Sequence, residues 1–134
     1  MFFVMDATIA AAWALPDENN DLTDSLLTMA QVDGAMVPVL WWYEVRHILA
    51  GAERLKRITP ADSIAFLHNL DRLEIKLCDL GDGEAILRLA RVHQLSVYNA
   101  AYLELALREN LPLVTLDRNL ALAGVHESLP RLDF

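Results

Sequence analysis

The sequence predicts an α/β fold: a single domain with an open twisted parallel sheet of four to five short strands, covered by helices. Short apolar runs end abruptly at polar residues, segments with helical periodicity lie between them, and 134 residues suffice for one sizeable core. Strands that alternate with helices pair in parallel through right-handed crossovers. Because no repeat, linker or low-complexity segment divides the chain, residues 1–134 are expected to form one domain.

Five elements are predicted in the first half of the chain. They are the strand Phe2–Met5, the helix Ala7–Leu15, the helix Leu22–Val32, the strand Ala35–Val39 and the helix Leu40–Leu55. The first strand is a continuous apolar run that stops at Asp6, as buried parallel strands do. Pro16 ends the first helix and Gly34 ends the second, because neither residue continues a helix favourably. Pro38 indicates a strand end, where its missing N–H is tolerated.

The second half of the chain predicts a similar alternation. Its elements are a helix that begins at Thr59-Pro60, the strand Ile75–Leu77, the helix Glu84–His93, the helix Asn99–Arg108 and the strand Leu113–Leu116. Thr59 is a favoured N-cap and Pro60 is favoured at the first helical position. The last strand ends at Asp117. The tail Val125–Leu132 is expected to add a short edge strand, which would be the fifth.

Composition and charge limit the function. The net charge of −8 disfavours a passive nucleic-acid binder but permits an enzyme that meets phosphates through bound cations. The single cysteine, Cys78, excludes an internal disulfide and a multi-cysteine metal site, and is expected to be buried and inert. No apolar run approaches the roughly 18 residues of a membrane span, and the start lacks the basic region of a signal peptide. A soluble cytoplasmic protein is therefore expected. The apolar fraction, 54%, suggests surface reserved for a partner or a second subunit.

Acidic side chains are predicted to converge at one edge of the sheet. Asp6 and Asp117 each follow a strand, and the carboxyl ends of parallel strands meet at one edge. Glu44 lies early in the helix after the second strand, and Asn99 starts the helix after "QLSV". Carboxylates that share a cleft repel one another unless hard cations such as Mg²⁺ or Mn²⁺ neutralise them. Two such ions roughly 4 Å apart can support phosphodiester hydrolysis.

Each of these residues also has a purely structural interpretation. Asp6, Asn99 and Asp117 all precede helical segments, where Asp and Asn are favoured N-caps. Glu44 could pair with Arg46 on a solvated face. Taken together, the residues favour a functional site over four separate structural roles.

Two other classes of protein have weaker support. The Glu-x-x-His spacing of Glu44 and His47 occurs once, whereas di-iron bundles need it twice on an all-helical frame. A receiver-like signalling domain would need a lysine after the last long strand, and Arg118-Asn119 stands there instead.

Three segments carry a family resemblance: "VMDATIAAAW", "VPVLWWYEVRHIL" and "LSVYNAAYLELALRENLPLVTLDRNLALA". In order and spacing they resemble the motif regions of PIN-domain ribonucleases, and more narrowly VapC toxins of bacterial toxin–antitoxin pairs. The resemblance implies a PIN-like domain that cleaves RNA with Mg²⁺ or Mn²⁺. Asp6, Glu44 and Asp117 match the family's metal-binding acids, and Thr115 matches a hydroxyl residue often found two positions before the last acid.

The resemblance also implies partners. VapC toxins form homodimers and are neutralised by a VapB antitoxin, whose C-terminal segment wraps over the site. A homodimer, and possibly a toxin–antitoxin hetero-oligomer, is therefore expected. The helices Ala7–Leu15 and Leu40–Leu55 would form the antitoxin groove, which would suit the Trp41-Trp42 pair.

Asn99 departs from the family pattern. The family reads Tyr-Asp-Ala-Ala-Tyr where this chain reads "YNAAY", Tyr98 to Tyr102. Asn keeps an oxygen ligand but loses a negative charge, so weaker metal binding and low activity are expected. The exchange fits an engineered disarming of a toxin as well as a naturally weakened enzyme. A catalytically inert PIN-fold binding module is the alternative function.

Overall fold

The fold consists of four strands and seven helices within residues 2–132, the part of the chain that the computed structural model describes. The strands are β1 (Val4–Met5), β2 (Ala35–Pro38), β3 (Ile75–Cys78) and β4 (Leu113–Val114). The helices are α1 (Ala7–Ala14), α2 (Asp21–Asp33), α3 (Leu40–Arg54), α4 (Pro60–Asp71), α5 (Gly83–His93), α6 (Val97–Glu109) and α7 (Arg118–His126). The predicted α/β class is confirmed.

The four strands form one parallel sheet in the order β3-β2-β1-β4. Val4 in β1 is in register with Met36 on one side and with Leu113 on the other. The two central strands, β1 and β2, are followed directly by α1 and α3, and β4 is followed by α7. Because all strands run the same way, these three helices begin at the same edge of the sheet.

The core lies around β1 and α6. Phe3, Val4 and Met5 have no solvent exposure, and Leu103 and Leu105 of α6 are equally buried. This helix packs against α5, β1, β2, β4 and α7, so it is the most enclosed helix of the domain. Its first turn is carried to the carboxyl edge of the sheet, where the predicted site lies.

Local signals explain most of the element ends. Thr59 and Asp62 form a reciprocal capping box at the start of α4, with Pro60 at the first helical position, as predicted. Gly34 ends α2 with φ +76°, and a Cβ there would lie 2.4 Å from the carbonyl oxygen of Glu74. The close approach of α2 to the residue before β3 therefore requires glycine.

The predicted fifth strand is wrong. The segment 125–132 contains no strand, and Val125 belongs instead to α7. Asp117 starts this helix by accepting the Leu120 N–H at 3.0 Å, and Leu120 and Ala123 are then buried at helical spacing. Helix α7 takes up Val125 and His126, and residues 127–132 form a turn and an irregular segment. The Leu129 N–H donates to the Gly124 carbonyl oxygen at 3.1 Å, which folds this segment back onto the helix end.

The consecutive aromatic residues divide between core and surface, so Trp42, and not the whole Trp41-Trp42 pair, is exposed to a partner. Trp41 is 4% exposed, whereas Trp42 and Tyr43 are 40% and 66% exposed. Cys78, the last residue of β3, is a buried free thiol. Within residues 2–132 no helix combines the length and apolarity needed to cross a bilayer.

Candidate active site

Asp6 is the most buried acid at the carboxyl edge of the sheet. It lies between β1 and α1 and is 3% exposed. Its Oδ1 accepts the Thr8 N–H at 3.1 Å and the Thr8 hydroxyl at 2.5 Å, so it is the N-cap of α1. Its Oδ2 accepts the Thr115 hydroxyl at 2.5 Å. Both carboxylate oxygens are thus held by neutral donors.

The Asp6 carboxylate is a costly charge in the metal-free protein. Burial raises the pKa of Asp6 above its ordinary value, and the hydrogen bonds from Thr115 and Thr8 only partly oppose this rise. The negative charge of Asp117 raises the pKa of Asp6 further, so the two carboxylates interact. Among residues 2–132, no lysine, arginine or histidine forms an ion pair with either of them, nor with Glu44.

Asp117 and Asn99 are neighbours, as the sequence predicts. The Asn99 side-chain amide donates to Oδ2 of Asp117 across 3.4 Å. The capping interpretation holds for Asp117 but is wrong for Asn99, because Ser96 is the N-cap of α6 and accepts the Asn99 N–H at 3.0 Å. Asn99 therefore lies inside the first turn, and its amide group is available to Asp117.

Glu44 lies in the second turn of α3 and is half-buried. The Tyr102 hydroxyl donates to Glu44 Oε1, which connects α6 with α3. The alternative pairing with Arg46 is wrong: the Arg46 guanidinium lies 3.6 Å from the Trp42 ring centroid and donates to the Trp42 carbonyl oxygen. Burial, the Glu44 hydrogen bond and the charges of Glu44 and Asp6 all raise the pKa of Tyr102, which keeps its proton.

Two hydroxyl groups join β1, α1 and the end of β4. The Thr8 hydroxyl accepts the Leu116 N–H at 2.9 Å, and the Thr115 hydroxyl accepts the Asp117 N–H at 2.9 Å. The two hydroxyl oxygens lie 3.5 Å apart. Thr115 was identified from sequence, whereas Thr8 and Tyr102 were not assigned roles. The available signal for Thr8 was its position two residues after Asp6, a spacing at which Ser and Thr bond back to the backbone and to capping acids.

An open cavity of about 380 Å³ lies beside Thr8. It is lined by Thr8, Ala11, Glu18, Ile48 and Leu116. These residues come from α1, α3 and the loops beside them, so the cavity lies between the two helices predicted to form a partner groove.

The side chains at the carboxyl edge of the sheet can supply part of the ligand shell of a divalent cation. Within residues 2–132, no three or more His, Cys, Asp or Glu side chains are grouped closely enough to hold a metal together. Direct interactions join Asp117 with Asn99 and with the charge of Asp6. Glu44 is connected to this group through Tyr102, whose hydroxyl donates to Glu44 and lies within the influence of the Asp6 charge. Mg²⁺ commonly uses one or two carboxylates and completes its shell with water and substrate phosphates. The oxygen donors and the uncompensated charge of Asp6 suit that mode of binding.

Comparison with known proteins agrees with this architecture. The model of the PIN domain family matches residues 3–125. The crystal structure of PAE2754 from Pyrobaculum aerophilum is similar, with a TM-score of 0.70 and 24% sequence identity over 91% of this chain and 78% of that chain. At this identity the likeness concerns the fold alone. No curated protein matches the chain.

Proposed function

The chain belongs to the PIN domain family, whose members are generally metal-dependent nucleases, and we propose that it is an endoribonuclease toxin of the VapC type. The observation that carries this proposal is the carboxyl edge of the sheet. There the charges of Asp6 and Asp117 interact, and no basic side chain within residues 2–132 forms an ion pair with either of them. Asn99 is bonded to Asp117. Such a cluster of oxygen donors is unfavourable until a cation joins it.

The chain's own residues prepare the site for Mg²⁺ or Mn²⁺. Asp6 and Asp117 would hold the cation, with Asn99 contributing a neutral oxygen and Glu44 a further carboxylate. When bound, the cation supplies Lewis-acid polarisation of a phosphodiester and activation of water. Thr8 and Thr115 fix both oxygens of Asp6, so little reorganisation accompanies binding.

Asn99 is the reason to expect low activity. An amide replaces the family's aspartate, which removes one negative charge, and hard cations bind by charge as well as by oxygen count. The same residue supports a second candidate, a catalytically inert PIN-fold module that acts through a protein partner. The two candidates differ in whether Asn99→Asp restores RNA cleavage.

We further propose a VapB-type antitoxin as partner, a homodimer and a cytoplasmic location. The cavity between α1 and α3 is lined mainly by apolar side chains, and its Glu18 pairs with Arg57 at 3.7 Å. It adjoins Asp6 through Thr8, and the Asp6 charge favours a partner segment that places a basic side chain there. Exposed Trp42 and Tyr43 at the start of α3 supply apolar surface for association.

The toxin role is tested by induced expression in bacteria. We expect Asn99→Asp to arrest growth and to produce discrete new RNA 5′ ends, while the unsubstituted chain acts weakly. Asn99→Asp combined with Glu44→Gln is the matched control and should grow normally. Co-expression of a cognate antitoxin should restore growth. Normal growth with Asn99→Asp, from protein shown to be folded and abundant, would favour the inert binding module.

A further inference from the structure

Tyr102 combines complete burial with a polar contact to the site. The side chain is 1% exposed and packs in the hydrophobic core, where phenylalanine would fill nearly the same space. Buried tyrosine hydroxyls need a hydrogen-bond partner, and here the partner is Glu44, 58 residues away in sequence. The hydroxyl thus joins the core helix α6 to a carboxylate at the site.

The Glu44 side chain depends on this contact. Among residues 2–132, Tyr102 is its only side-chain hydrogen-bond partner, and no cation pairs with it. A glutamate has three rotatable side-chain bonds, so without a partner its carboxylate would sample several positions. The hydroxyl engages Oε1, and no donor from the described part of the chain is bonded to Oε2.

One helix therefore contacts acids on two different elements. Asn99 and Tyr102 are three residues apart in α6, a spacing that places both side chains on the same face. Asn99 donates to Asp117 at the start of α7, and Tyr102 donates to Glu44 in α3. Because α6 is packed into the core, it is a rigid frame for both contacts.

We propose that Tyr102 is a positioning residue for the metal site: its hydroxyl fixes the Glu44 carboxylate through Oε1 and leaves Oε2 available to a divalent cation. This inference rests on the proposed function. It gives a core residue a role in cation binding that packing alone does not provide. A phenylalanine at this position would preserve the core and release the carboxylate.

The test measures Mn²⁺ binding by calorimetry on full-length protein that carries Asn99→Asp. Tyr102→Phe is compared with Tyr98→Phe, the same exchange on the same helix at a side chain that is 65% exposed. We expect Tyr102→Phe to raise the Mn²⁺ Kd by roughly ten- to a hundredfold, as is typical when the partner of a ligand is lost. Tyr98→Phe should leave the Kd unchanged. Thermal unfolding in EDTA verifies that each variant is folded.

A double-mutant cycle separates positioning from general stability. If Tyr102 acts through Glu44, adding Tyr102→Phe to Glu44→Gln should change the Mn²⁺ Kd no further. An equal Kd for Tyr102→Phe and its parent, or an undiminished effect in the Glu44→Gln background, would overturn the inference while leaving the proposed function intact. Absence of Mn²⁺ binding by the Asn99→Asp parent would overturn both.

Discussion

Asn99 donates its side-chain amide to Oδ2 of Asp117, across 3.4 Å, at the carboxyl edge of the sheet. A family aspartate at position 99 would instead place a second carboxylate against Asp117. The amide thus relieves a repulsion in the metal-free protein and weakens the attraction for a cation. Stability without metal and affinity for metal are therefore expected to change in opposite directions when this residue is exchanged.

Asn99→Asp should destabilise the metal-free protein and strengthen cation binding. The new charge lies beside Asp117 without a partner, so we expect a loss of about 1 kcal/mol in the free energy of unfolding in EDTA. Adding Mn²⁺ should raise the Tm of the variant more than that of the parent. Urea unfolding and thermal melts with and without Mn²⁺ measure both effects. Asn19→Asp, at an exposed loop position, is the control and should change neither quantity.

Asp6→Asn should stabilise the metal-free protein at neutral pH. Burial raises the pKa of Asp6, so the folded protein favours its protonated form. Protonation of Asp6 therefore stabilises the fold in full below the ordinary pKa of 3.8, and this stabilisation is lost as the pH rises through the raised pKa. We therefore expect the free energy of unfolding of Asp6→Asn to exceed that of the parent by about 1 kcal/mol at pH 7, and the difference to disappear near pH 4. Urea unfolding in EDTA at several pH values measures it.

Asp82→Asn is the matched control for that experiment. Asp82 is also a helix N-cap, at the start of α5, but it is exposed. Its exchange should have little effect at either pH, because Asn caps helices about as well as Asp. A destabilised Asp6→Asn protein at pH 7 would mean that the Asp6 charge is compensated within the fold.

Thr8→Val should destabilise the protein and impair cation binding. The exchange keeps the shape of the side chain but removes a donor to Asp6 and the acceptor of the Leu116 N–H. Because these two hydrogen bonds are lost, we expect the free energy of unfolding to fall by about 1–3 kcal/mol, which urea unfolding measures. Thr28→Val on the exposed surface of α2 is the control, since its hydroxyl donates to the carbonyl of Asp24 within its own helix, at 3.2 Å. Equal losses for the two variants would show that the Thr8 hydroxyl has no special role.

Gly81→Ala should be destabilising for a steric reason. A Cβ there would lie 2.2 Å from a carboxylate oxygen of Glu104, which is buried and held by Arg108 and the Asp82 N–H. We expect a loss of about 1–3 kcal/mol in the free energy of unfolding. Gly83→Ala is the control, because nothing lies within 4 Å of its added Cβ. Similar stabilities of the two variants would contradict the close approach of the 79–82 loop to α6.

The sequence predicted the structure well where an element depends on residues that are close together in the chain. Thr59-Pro60, Gly34 and the acids after the apolar runs, Asp6 and Asp117, are local signals that located most helix starts and the edge of the sheet. The last strand ends at Val114, two residues before the predicted end at Leu116. The error at Val125–Leu132 arose because α7, which Asp117 caps, continues to His126, and the remaining residues turn back onto the helix end through the bond from the Leu129 N–H to the Gly124 carbonyl oxygen.

The contacts within the site were less predictable. The bond between Tyr102 and Glu44 joins residues on two helices, and it depends on the angle and register at which α6 packs, which no local pattern encodes. Thr8 was visible only as a helix-start residue, because its contact with Leu116 depends on the pairing of β1 with β4. Charge and spacing in the sequence were enough to identify the acidic residues. The residues that donate hydrogen bonds to them could be identified only from the folded structure.

The most direct test of the account is cleavage of total RNA by the purified chain and by its Asn99→Asp variant, each with Mg²⁺ or Mn²⁺ and with a chelator. We predict metal-dependent cleavage by the Asn99→Asp protein, little by the parent, and none by Asn99→Asp combined with Glu44→Gln. If the folded Asn99→Asp protein binds Mn²⁺ and cuts no RNA, or cuts equally well in EDTA, the carboxyl edge of the sheet is not a metal-dependent ribonuclease site.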